Sequence, residues 1–541
     1  MRAWRARRGL DGGEHGGTID KPEQASWIQL SAPAPSPAPS PGRGIENAAQ
    51  TRQDALVKKT PAVLAPPLES IRTEVIDRFR VALAHDEDAT VFANLLDVEQ
   101  QLEAFVHELG HELVQSFVDE RLEQALACRT TCPSCSDPME VHRRTGWQHG
   151  TALGPIQVRD VYLYCRCCHV SARPLHGWLG TDRERWSLGA EQAALDLACD
   201  ESCQHAADKL ERHHPGLSME RTTVLRMMHK HGAQARQFIE GKLGSALEQL
   251  GHEGRSSGGL AELEVEHDGG MIPVGVLVPL PLGQGQPPER TPVRDLPKRR
   301  RNSFWQEVKL GLVQVPGETT RLYTARPTDE LDEAFRDLLA LGALKGWTEQ
   351  THVRGIADGA RHIRDRLQET FHACPFQFIL DRPHASEHLT EAAEALATTT
   401  GCEAKAWSRT AMARIEAGEV MAVVDELRQG HRQQPDDRLR LNADYFERNR
   451  DSVAYAEYRA RGWSQASSEV ESAHRHVVQQ RMKIPGAWWH PDNVPGVLAL
   501  RMLRANGWWD EYWSEQRRSW RERAQTFRRI QPPAVDLAHA A

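Results

Sequence analysis

Residues Glu262–Val276, ELEVEHDGGMIPVGV, indicate the fold of the central part of this chain. In their first half, apolar or ring-bearing side chains alternate with acidic ones, which is the two-residue period of a half-buried β-strand. The acidic positions end at Asp268, and Gly269 and Gly270 leave little side-chain bulk beside its carboxylate. Such a carboxylate suits the first metal ligand of a metal-dependent phosphoryl-transfer enzyme. A simple Asp-Gly-Gly turn is the alternative.

The sequence after this strand predicts two further antiparallel strands, then a helix, a strand, a helix and a fifth strand. The later strands are predicted at Trp305–Gln314, Thr320–Ala325, Thr351–Asp358 and Pro375–Leu380, and the helices at Asp329–Gly342 and Arg361–Phe371. Asp358 ends the fourth strand, and Asp381 follows the fifth. Over residues 258–387, this order is that of a ribonuclease-H-like α/β fold, in which acids on the first and fourth strands lie side by side.

A third acid is predicted on a helix that follows a long helical insertion. Residues 388–462 have helical apolar spacing throughout, and the core is expected to resume over 463–513. There the segment SSEVESAHRHVVQQRMKIPG, Ser467–Gly486, predicts a helix with Glu471 near its start. A basic tail, residues 514–541, is predicted at the end.

The front of the chain contains two cysteine pairs with metal-ligand spacing. Cys132-Pro-Ser-Cys135 and Cys165-Arg-Cys167-Cys168 are separated by strand-like sequence, which is typical of a zinc ribbon over residues 128–185. We expect one structural Zn²⁺ bound by Cys132, Cys135, Cys165 and Cys168, with Cys128, Cys167 and His169 as possible substitutes. Before the ribbon, residues 1–65 are rich in Pro, Ala, Ser and Gly and are predicted to be disordered, and 66–127 to be helical.

Residues 186–250 predict a helical, helix-turn-helix-like DNA-binding region. A helix ending near His214 meets Pro215-Gly216, and Ser218 can cap a second helix, Met219–His231. Four side chains are expected to face outward, toward phosphates and base edges: Arg221, Thr222, Arg226 and Lys230. An ordinary helical hairpin is the alternative.

Size and composition limit the class of protein. The chain has 541 residues, 40% of them hydrophobic and 26% charged, which predicts a soluble protein of two to four domains. No apolar run approaches membrane-spanning length, and the N-terminus lacks the apolar segment of a secretory signal. Clustered cysteines favour metal binding in a reducing cytoplasm. The net charge of −8 is weak evidence against nucleic-acid binding, because it does not report local basic clusters.

Together these motifs resemble the bacterial insertion-sequence DDE transposases of the ISKra family, over roughly residues 122–513. The matching pieces are CPSC, YCRCC, RPLHGWLG, HDGGMIPV, WQEVKLG, ADGA, DRPHASEHL, VESAHRHVVQQRMK and ALRMLRANGWWDEYW. The resemblance implies a zinc-ribbon and helical DNA-binding front end, followed by a ribonuclease-H-like core with a helical insertion. It places Asp268, Asp358 and Glu471 as the catalytic acids and ligands of two Mg²⁺ or Mn²⁺ ions.

Two auxiliary residues and one rival assignment come with this resemblance. Asp381 and His384 match an Asp-x-x-His motif that follows the second acid in related transposases with helical insertions. Asp381 is also the rival for the second catalytic acid, in place of Asp358. Glu469 is the acid most easily mistaken for Glu471.

The implied function is binding of terminal inverted repeats, metal-dependent DNA cleavage and strand transfer. A homodimer or higher oligomer on double-stranded DNA is expected, in the cytoplasm with the nucleoid and without a membrane. Two alternatives stay open: a zinc-ribbon DNA-binding regulator with a vestigial core, and a ribonuclease-H-like nuclease without strand transfer.

Overall fold

The structure is a computed structural model, and its chain divides into two compact units, Met1–Ala89 and Thr90–Ala541. In the first unit only Thr73 and residues 75–78 are described, and they are helical. The second unit is described from Leu95 to Arg528, without 128–130, 133, 174, 176–184, 253–258 and 280–298. The predicted disordered tail (1–65) and Cys128 therefore lie outside the described residues.

A long helix and a small antiparallel sheet form the first part of the second unit. These elements are α1 (Leu95–Ala127), β1 (Glu140–Thr151), β2 (Gly154–Tyr164) and β3 (Ser171–Ala172). Val118 on α1 packs against Ile156 and Val158 on β2. Gln115 on α1 also binds the backbone of β2 through two hydrogen bonds. Its side chain accepts from the Gln157 N–H at 2.8 Å and donates to the Gln157 carbonyl at 3.0 Å.

Three helices follow: α2 (Leu188–Ala198), α3 (Cys203–His213) and α4 (Arg221–His252). Ser187 and Ser202 cap the first two through their hydroxyls. The second predicted helix starts at Arg221 rather than Met219, so Ser218 does not cap it, and it continues well past His231 to His252. Gly232 lies inside α4 despite its poor helix propensity. A Cβ at this position would come within 2.9 Å of the Gly496 backbone, so close packing explains the glycine.

The central sheet is mixed and has five strands in the order β6-β5-β4-β7-β8. These strands are β4 (Glu262–Pro279), β5 (Arg299–Gln314), β6 (Arg321–Pro327), β7 (His352–Ala357) and β8 (Phe376–Leu380), with α5 (Leu331–Leu344) and α6 (Arg361–Thr370) between them. β4, β5 and β6 pair antiparallel, whereas β7 and β8 continue the sheet in parallel. β5 begins at Arg299, earlier than predicted, because β4 extends to Pro279 and offers backbone partners along its whole length.

A helical segment with its own hydrophobic core lies between β8 and the last part of the chain. Its helices are α7 (Arg382–Thr400), α8 (Ala404–Glu416), α9 (Val420–Gln433), α10 (Asp437–Arg448) and α11 (Tyr455–Ala460). Their buried side chains join Ile356 and Ile379 of the sheet, so the segment covers one face of β7 and β8.

The chain then returns to the sheet through α12 (Ser468–Ala473), which continues as a π-helical segment (His474–Gln479) into Gln480–Met482. Two helices complete the described chain: α13 (Val494–Ala505) and α14 (Trp509–Arg528). The first half of the predicted basic tail is therefore helix. No helix in the described part of the chain combines the length and apolarity needed to cross a membrane.

The helices of residues 186–250 share one hydrophobic core with the sheet. Leu210 and Ile239 from these helices belong to the same buried cluster as Val265, Leu310 and Leu498. A boundary near residue 250 would cut through this core.

Candidate functional site

The sheet register brings three aspartates to the same level on adjacent strands. β4 and β7 pair in parallel as far as Glu266 opposite Ile356, and β7 and β8 as far as Ala357 opposite Leu380. Continuing both registers by one or two residues places Asp268, Asp358 and Asp381 beside one another. Residues two apart on a strand share a face, so Asp268 also lies on the face of Glu266.

Asp268 and Asp358 are partly buried and close enough for their charges to interact. Burial raises the pKa of the Asp268 carboxyl, and the charge of Asp358 adds to that rise. The Gly269 N–H donates to Asp268 Oδ1 at 2.7 Å, and the Ala360 N–H donates to Asp358 Oδ1 at 3.0 Å. Both carboxylates are thus oriented by a backbone N–H one or two residues further along the chain, within β4 for Asp268 and after β7 for Asp358.

Asp381 is fully buried, and protein groups occupy both of its oxygens. Oδ1 accepts from the Ser467 N–H at 2.7 Å, and Oδ2 accepts from the His384 N–H at 3.0 Å and contacts His384 Nδ1 at 2.5 Å. Burial opposes ionisation of Asp381, but the bonds from His384 and Ser467 outweigh it and lower its pKa. The same bond raises the pKa of His384 to about 9, so this imidazole is a cation at neutral pH. Asp381 therefore caps α7 and ties it to the chain before α12.

Glu471 approaches these aspartates from α12. Asp381, His384 and Glu471 each offer one donor atom, and the three atoms lie within 4.8 Å of one another. Asp268 and Asp358 are not part of that closest group. The charge of Asp268 does reach Glu471, whose pKa is raised first by partial burial and then by Asp381 and Asp268.

Two other glutamates near α12 have different partners. Glu469 points away and pairs with Arg321 at 2.9 Å. Glu266, which is fully buried on β4, accepts from the Val470 N–H at 2.8 Å and so fixes the first turn of α12 to the sheet. Burial raises the pKa of Glu266 to about 8. The sequence alone does not distinguish Glu266 from a surface residue, because an acid on an alternating strand also fits a solvent-facing position.

His474 is a second site residue that was not predicted from the sequence. Its side chain is 3% exposed, and its Nε2 lies 3.6 Å from Asp268 Oδ2. The Glu471-x-x-His474 spacing could have found it, because residues three apart lie on one side of a helix. Asp268, Asp358, Asp381, Glu471, His384 and His474 are called the acid cluster below.

The acid cluster has the chemistry of a site for divalent cations. Its carboxylates are hard oxygen donors, which Mg²⁺ and Mn²⁺ prefer. They repel one another in a partly desolvated place, so a bound cation would relieve both the repulsion and the raised pKa values of Asp268 and Glu471. The donor set fits such an ion.

The four predicted cysteines form a second cluster, the cysteine cluster. Sγ distances within it are 3.1 Å for Cys132–Cys168, 3.2 Å for Cys135–Cys168, and 3.5 Å for both Cys135–Cys165 and Cys165–Cys168. Four sulfurs around Zn²⁺ at ~2.3 Å would be roughly 3.8 Å apart, so a small expansion admits the ion. This cluster could bind a metal such as zinc.

Backbone geometry repeats at the two halves of the cysteine cluster. The Ser136 N–H donates to the Cys132 carbonyl at 2.9 Å, and the His169 N–H donates to the Cys165 carbonyl at 3.0 Å. Ser136 and His169 have φ values of 62° and 59°, a conformation that non-glycine residues rarely adopt. The same tight turn thus follows each pair. His169 Nδ1 contacts the Tyr164 hydroxyl, and Cys167 is exposed.

The predicted DNA-contacting residues on α4 differ in their exposure and in their partners. Arg221, Thr222 and Arg226 are exposed, as expected. Lys230 is half-buried, and its Nζ donates hydrogen bonds to both carboxylate oxygens of the buried Glu191 at 2.9 Å. This ion pair joins α4 to α2, and the role of Lys230 in DNA contact stays a prediction.

Comparison with protein-family models gave no match for this chain, and comparison with curated proteins gave no significant match.

Proposed function

We propose that this chain is a DDE transposase of an insertion sequence, of the kind that the ISKra family comprises. The observation that carries the proposal is the parallel register of β4 and β7, which sets Asp268 level with Asp358 when it is continued by two residues, together with Glu471 on α12, which lies close enough to Asp268 for their charges to interact. A two-metal phosphodiester enzyme needs carboxylates that converge from separate elements in this manner.

The order of the central strands also supports the proposal. In chain order the five strands lie 3-2-1-4-5 across the sheet, with the first three antiparallel and the last two parallel. This is the arrangement expected for a ribonuclease-H-like core, and α7–α11 stand where the resemblance expects a helical insertion. The cysteine cluster fits the proposed zinc ribbon, with Zn²⁺ holding two turns together rather than taking part in the reaction.

The residues of the acid cluster would have different roles in the reaction. Asp268, Asp358 and Glu471 would hold the catalytic ions, with Asp381 keeping His384 in place beside them. His384 is a cation next to the cluster, so it is suited to attract a phosphate oxygen of the DNA. Two Mg²⁺ or Mn²⁺ ions would supply Lewis-acid stabilisation of the attacking and leaving oxygens.

The reaction would proceed in two successive displacements at phosphorus. In the first, a water oxygen bonds to phosphorus at the transposon end, the bond from phosphorus to the 3′-oxygen breaks, and that oxygen leaves as a 3′-hydroxyl. In the second, this hydroxyl attacks a phosphodiester of the target DNA, and the target 3′-oxygen leaves in turn. No covalent bond to the protein forms, so no Ser or Tyr nucleophile is required.

The proposed partner is double-stranded DNA, bound through terminal inverted repeats by a homodimer or higher oligomer associated with the nucleoid in the cytoplasm. Arg221 and Arg226 on the exposed start of α4 are the proposed contacts. Binding through such arginines should weaken steeply as salt concentration rises, because each phosphate contact releases counterions.

The test is cleavage and joining of a labelled duplex that carries the DNA from either end of the coding region. With Mg²⁺ or Mn²⁺, the full chain should nick this duplex at a 3′ end and join it to a target plasmid. Asp268→Asn should still bind the duplex, but its cleavage should fall by orders of magnitude. Cleavage without joining would favour the nuclease alternative, and binding without cleavage by the wild type would favour the regulator.

A further inference from the structure

The buried imidazole of His474 makes no hydrogen bond to the carboxylates of the acid cluster. Its side chain is 3% exposed and lies close to the Asp268 backbone, but neither ring nitrogen reaches a partner with good hydrogen-bond geometry among the residues that the structure describes. Buried polar groups are nearly always paired, and leaving one unpaired costs stability. His384 differs, because its Nδ1 contacts Asp381 at 2.5 Å.

The position of His474 Nε2 suits a shared metal ion better than a direct bond. Its distance of 3.6 Å from Asp268 Oδ2 is too long for a hydrogen bond. Two donor atoms that bind one ion at ~2.1 Å each lie roughly 3.0–3.6 Å apart, depending on the angle between the bonds. Glu471 lies one turn earlier on the same side of the helix, so both side chains face Asp268.

The surroundings hold this ring against β4. A Cβ on Gly270 would come within 2.6 Å of His474 Nδ1, so any larger residue there would push the ring away. The helix also changes to π-helical hydrogen bonding at His474, which alters the direction of the side chains that follow. Arg501 stabilises this segment, because its Nε donates to the Val477 carbonyl at 3.0 Å.

We propose that His474 Nε2 and Asp268 bind the same divalent ion, and that this nitrogen donor makes the site favour Mn²⁺ over Mg²⁺. The inference rests on the proposed function, since it takes the acid cluster as the catalytic metal site. Imidazole is a good ligand for transition metals, whereas Mg²⁺ prefers oxygen donors and water. The ligand set would then comprise carboxylates and one imidazole.

The test uses the purified full-length chain without DNA. Free Mn²⁺ is followed by its electron paramagnetic resonance signal during titration, and Mg²⁺ is added as competitor. His474→Gln should lower Mn²⁺ affinity about tenfold and Mg²⁺ affinity much less, because only Mn²⁺ gains from the nitrogen. Pulsed electron paramagnetic resonance should detect hyperfine coupling between Mn²⁺ and a directly bound nitrogen in the wild type. This nitrogen coupling should be absent in His474→Gln.

His476→Gln is the matched control, because His476 lies two residues further along the same segment, is exposed, and bonds the Ser472 carbonyl. It should keep both the affinity ratio and the nitrogen coupling. An unchanged Mn²⁺ to Mg²⁺ ratio in His474→Gln would overturn the inference, as would nitrogen coupling that disappears in His384→Gln instead. Absence of the coupling in the wild type would also overturn it, whether or not any variant folds.

These experiments distinguish failure of the inference from failure of the proposed function. If Asp268→Asn loses Mn²⁺ and His474→Gln does not, the role of His474 fails while the metal site stands. If His474 controls Mn²⁺ binding but the wild type neither cleaves nor joins DNA, the role of His474 stands and the transposase proposal fails.

Discussion

The cysteine cluster and the acid cluster differ in how far apart their members lie along the chain. The cysteines come from two turns, each spanning four residues and joined by one hairpin. The acids come from β4, the ends of β7 and β8, and α12, which are spread over about 200 residues. A site of the first kind forms from local turn geometry, whereas a site of the second kind exists only when a whole sheet is assembled in register. A substitution that disrupts one of these two clusters should therefore leave the other cluster intact.

The largest effect is expected from Glu471→Gln, which should reduce cleavage by orders of magnitude while zinc content stays at about one ion per chain. In the proposed two-metal site, removal of one ligand charge would disable both ions, so combination with Asp268→Asn should add little further loss. Cleavage of the labelled duplex and metal analysis of the same preparation measure the two effects. Glu469→Gln is the matched control and should stay active, because Glu469 faces Arg321.

The reverse experiment changes Cys135 and Cys168 together to Ser. Zinc should be lost, and amide hydrogen exchange should speed up in β1–β3, because metal binding of this kind is coupled to folding. Exchange in β4 and Mn²⁺ binding by the acid cluster should be unchanged. Cys167→Ser, at an exposed neighbouring cysteine, should retain zinc. Stoichiometric zinc in the double variant would rule out this ligand set.

A smaller and sharper contrast lies within the acid cluster, between Asp381→Asn and Asp358→Asn. Asp381 accepts two buried backbone N–H bonds, so an amide that turns a donor toward one of them should cost about 1–3 kcal/mol of stability. Asp358→Asn should change stability little but weaken Mn²⁺ binding strongly. Thermal unfolding and Mn²⁺ titration separate the two. Strong Mn²⁺ loss with normal stability in Asp381→Asn would support the rival assignment of the second acid.

The smallest effect concerns Glu266, beneath the acid cluster. Its pKa of about 8 in the folded chain exceeds the ordinary value of 4.5, so between these pH values only the unfolded chain releases the proton. Stability should therefore fall as pH rises through this window. Glu266→Gln keeps an acceptor for Val470 and removes the charge, so it should melt about 2–4 °C above the wild type at pH 8. Near pH 5 the two should melt together, and an equal difference at both pH values would contradict this account.

Sequence patterns predicted the local features of this chain better than the long-range ones. The cysteine spacing anticipated all four members of their cluster, and the alternation in β4 anticipated the strand that carries Asp268. The central strands were predicted in the right order, but β5 was predicted too short because nothing in its own sequence reports how far β4 extends. Arg221, Thr222 and Arg226 on α4 were also expected to face outward and are exposed. The full length of α4 was missed, since it depends on packing against Gly496 far along the chain.

The roles of Glu266, Lys230 and His474 could not be assigned from the sequence. Each depends on a partner 39 or more residues away: Val470 for Glu266, Glu191 for Lys230 and Asp268 for His474. Acidic, basic and imidazole side chains at such positions fit an exposed surface equally well. Only the register of the sheet and the packing of the helices distinguish them.

The contact between Gly232 and Gly496 restricts how this protein could be recombined with others. Two helix backbones meet there without room for a methyl group, so α4 and α13 must be exchanged as a pair. A chimaera that takes a foreign front end up to residue 250 would bring a new α4 against the old α13 and leave Ile239 and Leu243 without their partners. A junction between Ala172 and Leu188, after the small sheet and before α2, would leave both helices together. The proposed DNA specificity is thus more readily changed by substituting exposed side chains of α4 than by grafting a domain.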